Sequence, residues 1–309
     1  MPKPPVRVAV AETGASLPGH VSASQLDSYS SCGLRYYFDT VLGFRQPETV
    51  WTTLGTLLHD TLERLYRLEP GERSATTAVQ LMVEVARGMF ATPAYRQHAD
   101  NREIRTRAEA ALRNLFALET PSRLEVAPAD LESAVTVELN GVAFTGRLDR
   151  RTRAPLRRIC DYKSGRRPPA YRLPDKLTQV YLYAAAARAE GDPVDEVELF
   201  YLGGDGGLVR RPVYPAALDA AVDRLTLMRR DTERDLAEGQ FTATPTALCG
   251  FCPFKPACPA YNAGAAPPGS AESDARLATL GLRRRGHRPE AVELAERERE
   301  AEDLSEAVW

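Results

Sequence analysis

Residues 157–167 read RRICDYKSGRR, and this stretch decides the fold. An apolar pair leads into Asp161, Tyr162 and Lys163, and the segment stops at a Ser-Gly turn. On a strand, alternate side chains share a face, so Asp161 and Lys163 point one way and Tyr162 the other. A carboxylate beside an ammonium suits metal-assisted hydrolysis, because the acid binds the cation and the amine orients water. A bare Asp-x-Lys is more often an exposed ion pair, and the surrounding sequence must decide.

Two strands are predicted immediately before this segment. Ser133–Leu139 alternates apolar and polar residues, and Asn140-Gly141 is typical of a type I′ hairpin turn. Val142–Arg150 returns as the partner strand and carries Asp149. The three strands form an antiparallel meander that places Asp149 and Asp161 near the ends of neighbouring strands. Two such carboxylates can share magnesium or manganese, which prefer oxygen ligands.

Helical patterns flank these strands. Leu54–Leu68 has a stripe of leucines at helical spacing and carries His59 on a second face. A helical histidine is more often structural than a ligand when it is considered alone. The other predicted helices begin at a capping box, Ser22–Gln25, and lie near Ala75–Phe90, Arg102–Glu119, Asp175–Glu190 and Pro215–Gly239. Two more strands are predicted at Val194–Tyr201 and Leu208–Val213.

Composition describes a soluble globular protein. The chain has 309 residues, a net charge of −2 and 43% hydrophobic residues, which excludes a globally basic nucleic-acid binder. No apolar run is long enough to span a membrane, and the N-terminus lacks the apolar core of a signal peptide, so we expect a cytoplasmic protein.

Between Arg147 and Arg167 there are eight arginines and one lysine against two aspartates. This run fits either a phosphate-binding patch or a solvated hairpin.

The cysteines suggest a metal site. They are Cys32, Cys160, Cys249, Cys252 and Cys258. An odd number without a signal peptide argues against a disulfide framework. The last three form Cys-x2-Cys-x5-Cys, which is spacing typical of metal ligands. Cys160 is expected to be a small buried residue on its strand.

Four segments together resemble the RecB-like branch of the PD-(D/E)XK nuclease superfamily. They follow the order of its motifs: GTLLHDTLE at 55–63, FTGRLDR at 144–150, DYKSG at 161–165 and QVYLY at 179–183. Each motif is short, but four in the correct order make a specific resemblance, which covers roughly Ser22–Tyr261.

The resemblance implies a role for each motif residue. The ligands of a magnesium or manganese ion would be His59, Asp149, Asp161 and, through its backbone carbonyl, Tyr162. Lys163 would position the attacking water and stabilise charge at phosphorus. Gln179 and Tyr183 would shape the catalytic site and contact the substrate.

Some members of the branch hold a [4Fe–4S] cluster by one cysteine before the nuclease core and three after it. The resemblance implies that the ligands here are Cys32, Cys249, Cys252 and Cys258. Four thiolates suit tetrahedral zinc equally well, so the preference for iron–sulfur rests on the resemblance. Either centre would join parts of the chain more than 200 positions apart.

The expected function is that of a metal-dependent DNA nuclease, an exonuclease that acts on single strands or free ends in repair or recombination. Because the chain has no GxxxxGK[ST] loop, a helicase or another repair factor would have to unwind its DNA. The predicted phosphate contacts are Arg147, Arg150, Arg166 and Arg167. Two alternatives stay open: a CRISPR-adaptation nuclease of the same fold, and a non-catalytic module that binds DNA ends.

The expected fold is α/β, with a nuclease core of about five strands in a mixed sheet flanked by helices. A helical insertion at Ala75–Glu119 would pack on one side, and the cysteine-bound clasp would lie beside the sheet. Residues 1–21 are predicted to be an irregular lead-in and 22–261 the nuclease domain. Residues 262–309 are predicted to be a linker followed by a charged tail.

Overall fold

The computed structural model describes residues 4–153 and 155–284. The strands in these ranges are β1 Val6–Ala9, β2 Val21–Ser22, β3 Phe44–Arg45, β4 Leu131–Leu139, β5 Val142–Thr152, β6 Arg158–Lys163, β7 Glu196–Tyr201, β8 Gly207–Pro212, β9 Gln240–Ala243 and β10 Arg283–Arg284. The α-helices are α1 Ala23–Ser31, α2 Gly33–Tyr36, α3 Val50–Arg67, α4 Ala75–Ala91, α5 Arg102–Leu118, α6 Leu173–Ala189, α7 Pro215–Ala237 and α8 Ala271–Ala278. None of the helices described is long and apolar enough to cross a membrane.

A mixed sheet of six strands forms the centre of the described chain. Its hydrogen-bonded order is β2-β5-β6-β7-β8, and β4 also pairs with β5. The predicted meander is confirmed, since β4, β5 and β6 are antiparallel neighbours, whereas β6 and β7 are parallel. The sheet has one strand more than expected because β2 is only two residues long, too short to show a period in sequence.

Helices cover both faces of this sheet. One core joins the sheet to α1, α2, α6 and α7 and includes Phe144, Leu182, Leu199 and Leu225. The other joins it to α3, α4 and α5 and includes Leu57, Leu112, Tyr162 and Phe200. The predicted helical insertion, which forms α4 and α5, therefore packs with α3 on one side of the sheet.

The terminal segments are more ordered than the sequence suggests. Within the predicted irregular lead-in, β1 pairs with β9, and its Val8 is buried. Beyond the nuclease motifs, the predicted linker runs into α8, and β10 then pairs with β3. These strands are too short for a sequence period, so only their distant partners define them. The predicted tail lies outside the described residues from position 285 onward.

A glycine allows α6 to lie close to β5. A Cβ atom on Gly146 would lie 2.4 Å from Cε1 of Tyr183, closer than a real contact allows. Tyr183 is itself buried, so its ring has little room to move. The glycine of the FTGRLDR motif thus brings the helix that carries Gln179 and Tyr183 against the strand that carries Asp149.

A buried guanidinium connects the helical layer to the sheet. Arg150 is 1% exposed, and its Nη1 and Nη2 donate to the two carboxylate oxygens of Glu119 at 2.7 and 2.9 Å. Its guanidinium carbon lies 4.4 Å from the ring centroid of Tyr66, which also donates to Glu119. Nη2 also lies 3.2 Å from Sγ of Cys160. This network fixes the end of β5 against β6 and the end of α5.

These contacts correct the prediction that Arg150 binds phosphate. The sequence places it in an arginine-rich run, but its side chain points into the interior, where Glu119 neutralises it. A buried charge needs such a partner, because leaving water is costly for an unpaired ion. Arg150 is therefore a structural residue that lies next to Asp149.

We predict that Arg150→Met lowers the free energy of unfolding by about 3 kcal/mol, because it leaves the Glu119 carboxylate without its buried partner. The measurement is urea denaturation followed by circular dichroism. Arg150→Met combined with Glu119→Leu should recover most of the loss, since two apolar side chains leave no uncompensated charge.

The matched control is Arg188→Met, which removes an exposed ion pair with Asp219. It should change the free energy of unfolding by less than about 1 kcal/mol. Equal effects of the two single substitutions would show that the buried network adds nothing to stability.

Candidate metal and catalytic site

The motif residues meet where β5 and β6 lie side by side under α3. Oδ2 of Asp149 accepts a hydrogen bond from the backbone N–H of Tyr162 at 2.6 Å. His59, on α3, lies above this junction, with its Nδ1 3.4 Å from Oδ1 of Asp149. Asp161 and Lys163 share one face of β6, as predicted, and Tyr162 packs on the other.

His59 has a defined orientation. Its Nε2 donates to the carbonyl oxygen of Tyr162 at 3.0 Å, which leaves Nδ1 facing Asp149 and Glu132. Burial opposes a charge on the ring, but the two carboxylates outweigh it and raise the pKa of His59 to about 11. The ring is therefore protonated near neutral pH, and a cation that binds Nδ1 competes with that proton.

Glu132 is a site residue that the sequence reasoning missed. Its Oε1 lies 3.7 Å from Nδ1 of His59, and its φ of 45° places it in the left-handed region that non-glycine residues rarely adopt. The predicted strand began one residue later, at Ser133. The Asn140-Gly141 turn held the missing signal, because the hairpin register that it sets aligns Glu132 with Asp149.

The site can accommodate a divalent cation. One ligand atom each from His59, Glu132 and Asp149 lie within 4.8 Å of one another, and all three residues are half-buried. Carboxylate oxygens with one imidazole nitrogen form a donor set that suits manganese or magnesium. Asp161 lies outside this trio, and the Tyr162 carbonyl accepts the hydrogen bond from His59, so their predicted roles as ligands remain predictions.

Lys163 is held from two sides. Its Nζ lies 2.8 Å from Oδ2 of Asp161 and donates to Oε1 of Gln179 at 2.8 Å. The amide of Gln179 donates in turn to the hydroxyl of Tyr183 at 3.3 Å. Burial raises the pKa of Tyr183 to about 12, so its hydroxyl remains protonated. The residues of DYKSG and QVYLY thus form one hydrogen-bonded chain that fixes the lysine ammonium.

Asp161 is the most buried of the site's carboxylates, with 3% of its side chain exposed. Burial raises its pKa to about 6 and Asp149 adds to the rise, although Lys163 opposes both. Added positive charge stabilises the ionised form of a carboxylate in such surroundings, because that form is poorly solvated there.

Most arginines of the run from Arg147 to Arg167 form ion pairs within the protein. Besides Arg150, the paired ones are Arg151 and Arg153 with Asp192, Arg157 with Asp195, and Arg158 with Glu196. The expected broad phosphate patch is therefore largely neutralised. Arg147 is exposed and lies 3.9 Å from Glu132 at the site. In the described chain, Arg166 and Arg167 are exposed and form no ion pair.

Four cysteines converge at a second location. Cys32, Cys249, Cys252 and Cys258 line one cavity of about 40 Å³, and the stacked rings of Phe38 and Phe254 line it as well. Burial raises the pKa of Cys252 and of Cys258, and each also lies in the field of other cysteines of the set. The four cysteines are thus brought to one place in the fold. Cys160 is buried, as predicted, in the Arg150 network.

Comparison with known proteins agrees with this fold. A family model, described as the PD-(D/E)XK nuclease superfamily, matches residues 20–259. A crystal structure from Eubacterium rectale named "Putative exonuclease" aligns with a TM-score of 0.51 at 10% identity, over 76% of this chain and 87% of that chain. The crystal structure of SSO0001 aligns with a TM-score of 0.32 at 15% identity, over 66% and 85%. A search of curated proteins gives no significant match.

Fold and site together define a class. A mixed sheet that carries two aspartates and a lysine on neighbouring strands, beneath a helix that carries a histidine, is the arrangement of a metal-dependent nuclease. Because the family model covers most of its length, the chain belongs to the PD-(D/E)XK nuclease superfamily. The superfamily named by the sequence motifs is thereby confirmed.

We predict that Glu132→Gln weakens binding of Mn²⁺ by at least about tenfold, because an amide replaces a charged oxygen at the trio. Isothermal titration of the purified protein with Mn²⁺ measures the affinity. Glu138→Gln, on the same strand but outside the trio, is the matched control and should leave the affinity unchanged. Equal affinities for all three proteins would exclude Glu132 from the metal site.

Proposed function

We propose that the chain is a metal-dependent deoxyribonuclease of the RecB-like branch, an exonuclease that acts on single-stranded DNA or free ends in repair or recombination. The observation that carries the proposal is the trio of His59, Glu132 and Asp149 beside the ion pair of Asp161 with Lys163. A phosphodiesterase needs a cation and a fixed positive side chain at one point, and this site offers a place for both.

The chemistry assigned to the cation is activation of water and neutralisation of charge on the phosphate. His59, Glu132 and Asp149 would hold it, with the neighbouring Asp161 as a further predicted ligand. Magnesium or manganese fits the oxygen-rich donor set best.

Lys163 would stabilise the charge that develops at phosphorus. Asp161 and Gln179 hold its ammonium in place, so little reorganisation is needed when the phosphate arrives. Gln179 would link this lysine to Tyr183, which packs against Gly146 on β5. Arg147, Arg166 and Arg167 would contact the phosphates on either side of the scissile bond.

Exonuclease action and the choice of DNA have their own support. The Eubacterium rectale protein carries the word exonuclease in its name, and the aligned region covers 87% of it. The choice of DNA rather than RNA comes from the RecB-like motifs. A digest of end-labelled and circular single-stranded DNA distinguishes exonuclease from endonuclease, because a circle offers no end.

We predict that Lys163→Ala and Asp161→Ala each lower the rate of metal-dependent cleavage by at least about a hundredfold. The first removes the ammonium that would stabilise charge at phosphorus, and the second removes the carboxylate that holds this ammonium and is predicted to bind the cation. Release of label from single-stranded DNA in Mg²⁺ or Mn²⁺ measures the rate. Circular dichroism and urea denaturation verify that the variants are folded.

Lys176→Ala is the matched control, because this lysine on α6 pairs with Asp27 at the surface of the described chain. It should cleave at the rate of the unsubstituted protein. Unchanged cleavage in both site variants would refute the proposal. DNA binding with no cleavage in either metal would instead indicate a module that binds DNA ends.

We propose further that the four converging cysteines hold a [4Fe–4S] cluster, with zinc as the alternative. The cluster would be structural, because its ligands join the segment after α1 to the segment after β9. Support comes from the shared cavity and from the RecB-like motifs.

We predict that anaerobically purified protein is brown and contains about four iron atoms per chain, as a cubane cluster requires. Cys258→Ser should lower the iron content and the thermal stability together, because the cluster stabilises only the folded state. Cys160→Ser, outside the cavity, should keep its iron. Colourless protein that contains zinc would replace the cluster with a zinc centre and leave the nuclease proposal intact.

A further inference from the structure

Trp51 is exposed near the start of α3. The residue is 55% exposed, although tryptophan usually contributes to a core or an interface. Arg107, on α5, lies over its ring, with the guanidinium carbon 4.6 Å from the ring centroid. Glu103 accepts from Nε of Arg107 at 2.8 Å and holds it there. The indole is thus supported by a cation while more than half of the residue faces solvent.

Gly55 lies one helical turn further along α3, and neighbouring atoms do not require a glycine at this position. A Cβ atom there would meet only Oγ of Ser164, at 3.8 Å, which is an ordinary contact. Glycine inside a helix costs about 0.5–1 kcal/mol relative to alanine. The surface of the helix is therefore shallow at Gly55, and contacts within the protein do not require this.

Trp51 and Gly55 lie on the row of α3 that leads to His59. Residues four apart on a helix are neighbours, and eight residues span about 12 Å along the axis. Ser164 borders this row at Gly55, and the exposed Arg166 and Arg167 follow it in the chain. A shallow row thus runs along the helix from the indole to His59 at the metal site, and the two exposed arginines follow the serine that borders it.

We propose that Trp51 is a stacking platform for a base of single-stranded DNA, and that Gly55 leaves room for the strand between this base and the metal site. The inference rests on the proposed nuclease function and adds a substrate contact to it. Stacking on an aromatic ring tolerates every base, and the arginines bind the backbone without reading sequence. Such a contact favours single strands, because a base inside a duplex is already stacked on both faces.

The test uses the full chain with Trp309→Phe, which leaves Trp51 as the single tryptophan. An oligothymidylate of about 16 nucleotides, a length within known single-strand sites, is titrated in EDTA so that it is not cleaved. We expect saturable quenching of the tryptophan fluorescence. By anisotropy of a labelled oligonucleotide, Trp51→Ala should weaken binding about 5- to 150-fold, which is the range for one lost stack.

Three further variants sharpen the test. Trp51→Phe should restore most of the affinity because it keeps an aromatic face. Gly55→Leu should weaken binding although leucine favours the helix, since its side chain fills the shallow row. Tyr214→Ala removes an exposed aromatic residue before α7 and should leave the affinity unchanged.

Oligonucleotide binding without quenching, and with equal affinity in Trp51→Ala, would overturn the platform and leave the nuclease proposal standing. A loss of affinity in Trp51→Ala that Trp51→Phe does not restore would also overturn it, because stacking needs only an aromatic face. Neither binding nor metal-dependent cleavage by the unsubstituted chain would refute both proposals.

Discussion

The site depends on how Arg150 is buried. Its guanidinium joins Glu119, at the end of the helical insertion, to the strands that carry Asp149 and Asp161. An ion inside a protein is tolerated only with a partner and with hydrogen bonds in good geometry, so the network permits few arrangements of β5, β6 and α5. The residue before Arg150 is Asp149, whose carboxylate accepts the N–H of Tyr162. Two adjacent charged residues of β5 therefore have different roles, since Asp149 lies at the site and Arg150 is part of the buried network.

The acidic side chains of this protein divide into two groups with different roles. Those that face arginines form ion pairs, as Asp192 does with Arg151 and Arg153. At the junction of β5 and α3, Glu132 and Asp149 both face His59, and their negative charge raises the pKa of that histidine. A cluster of like charges is costly unless a cation offsets it. This contrast separates the site from the rest of an arginine-rich surface.

The sequence accounts for much of the fold and part of the site. The alternation in β4 and β5, the Asn-Gly turn and the apolar stripe of α3 predicted their elements within a few residues, because each signal is local. His59, Asp149 and Asp161 with Lys163 were found from motif order, and the structure brings them together. Glu132 was missed because its importance comes from the strand opposite. Arg150 was misassigned because charge counts in a sequence do not reveal which way a side chain points.

The sequence by itself determined the superfamily, the order of the strands around Asp149 and Lys163, and which cysteines have the spacing of metal ligands. Periodicity and motif spacing are properties of neighbouring residues, so they are readable without coordinates. The tertiary structure decided which arginines are free, that Glu132 joins His59 and Asp149, and that Cys32 meets cysteines more than 200 positions away. These outcomes depend on burial and on long-range pairing, which arise only when distant segments pack together.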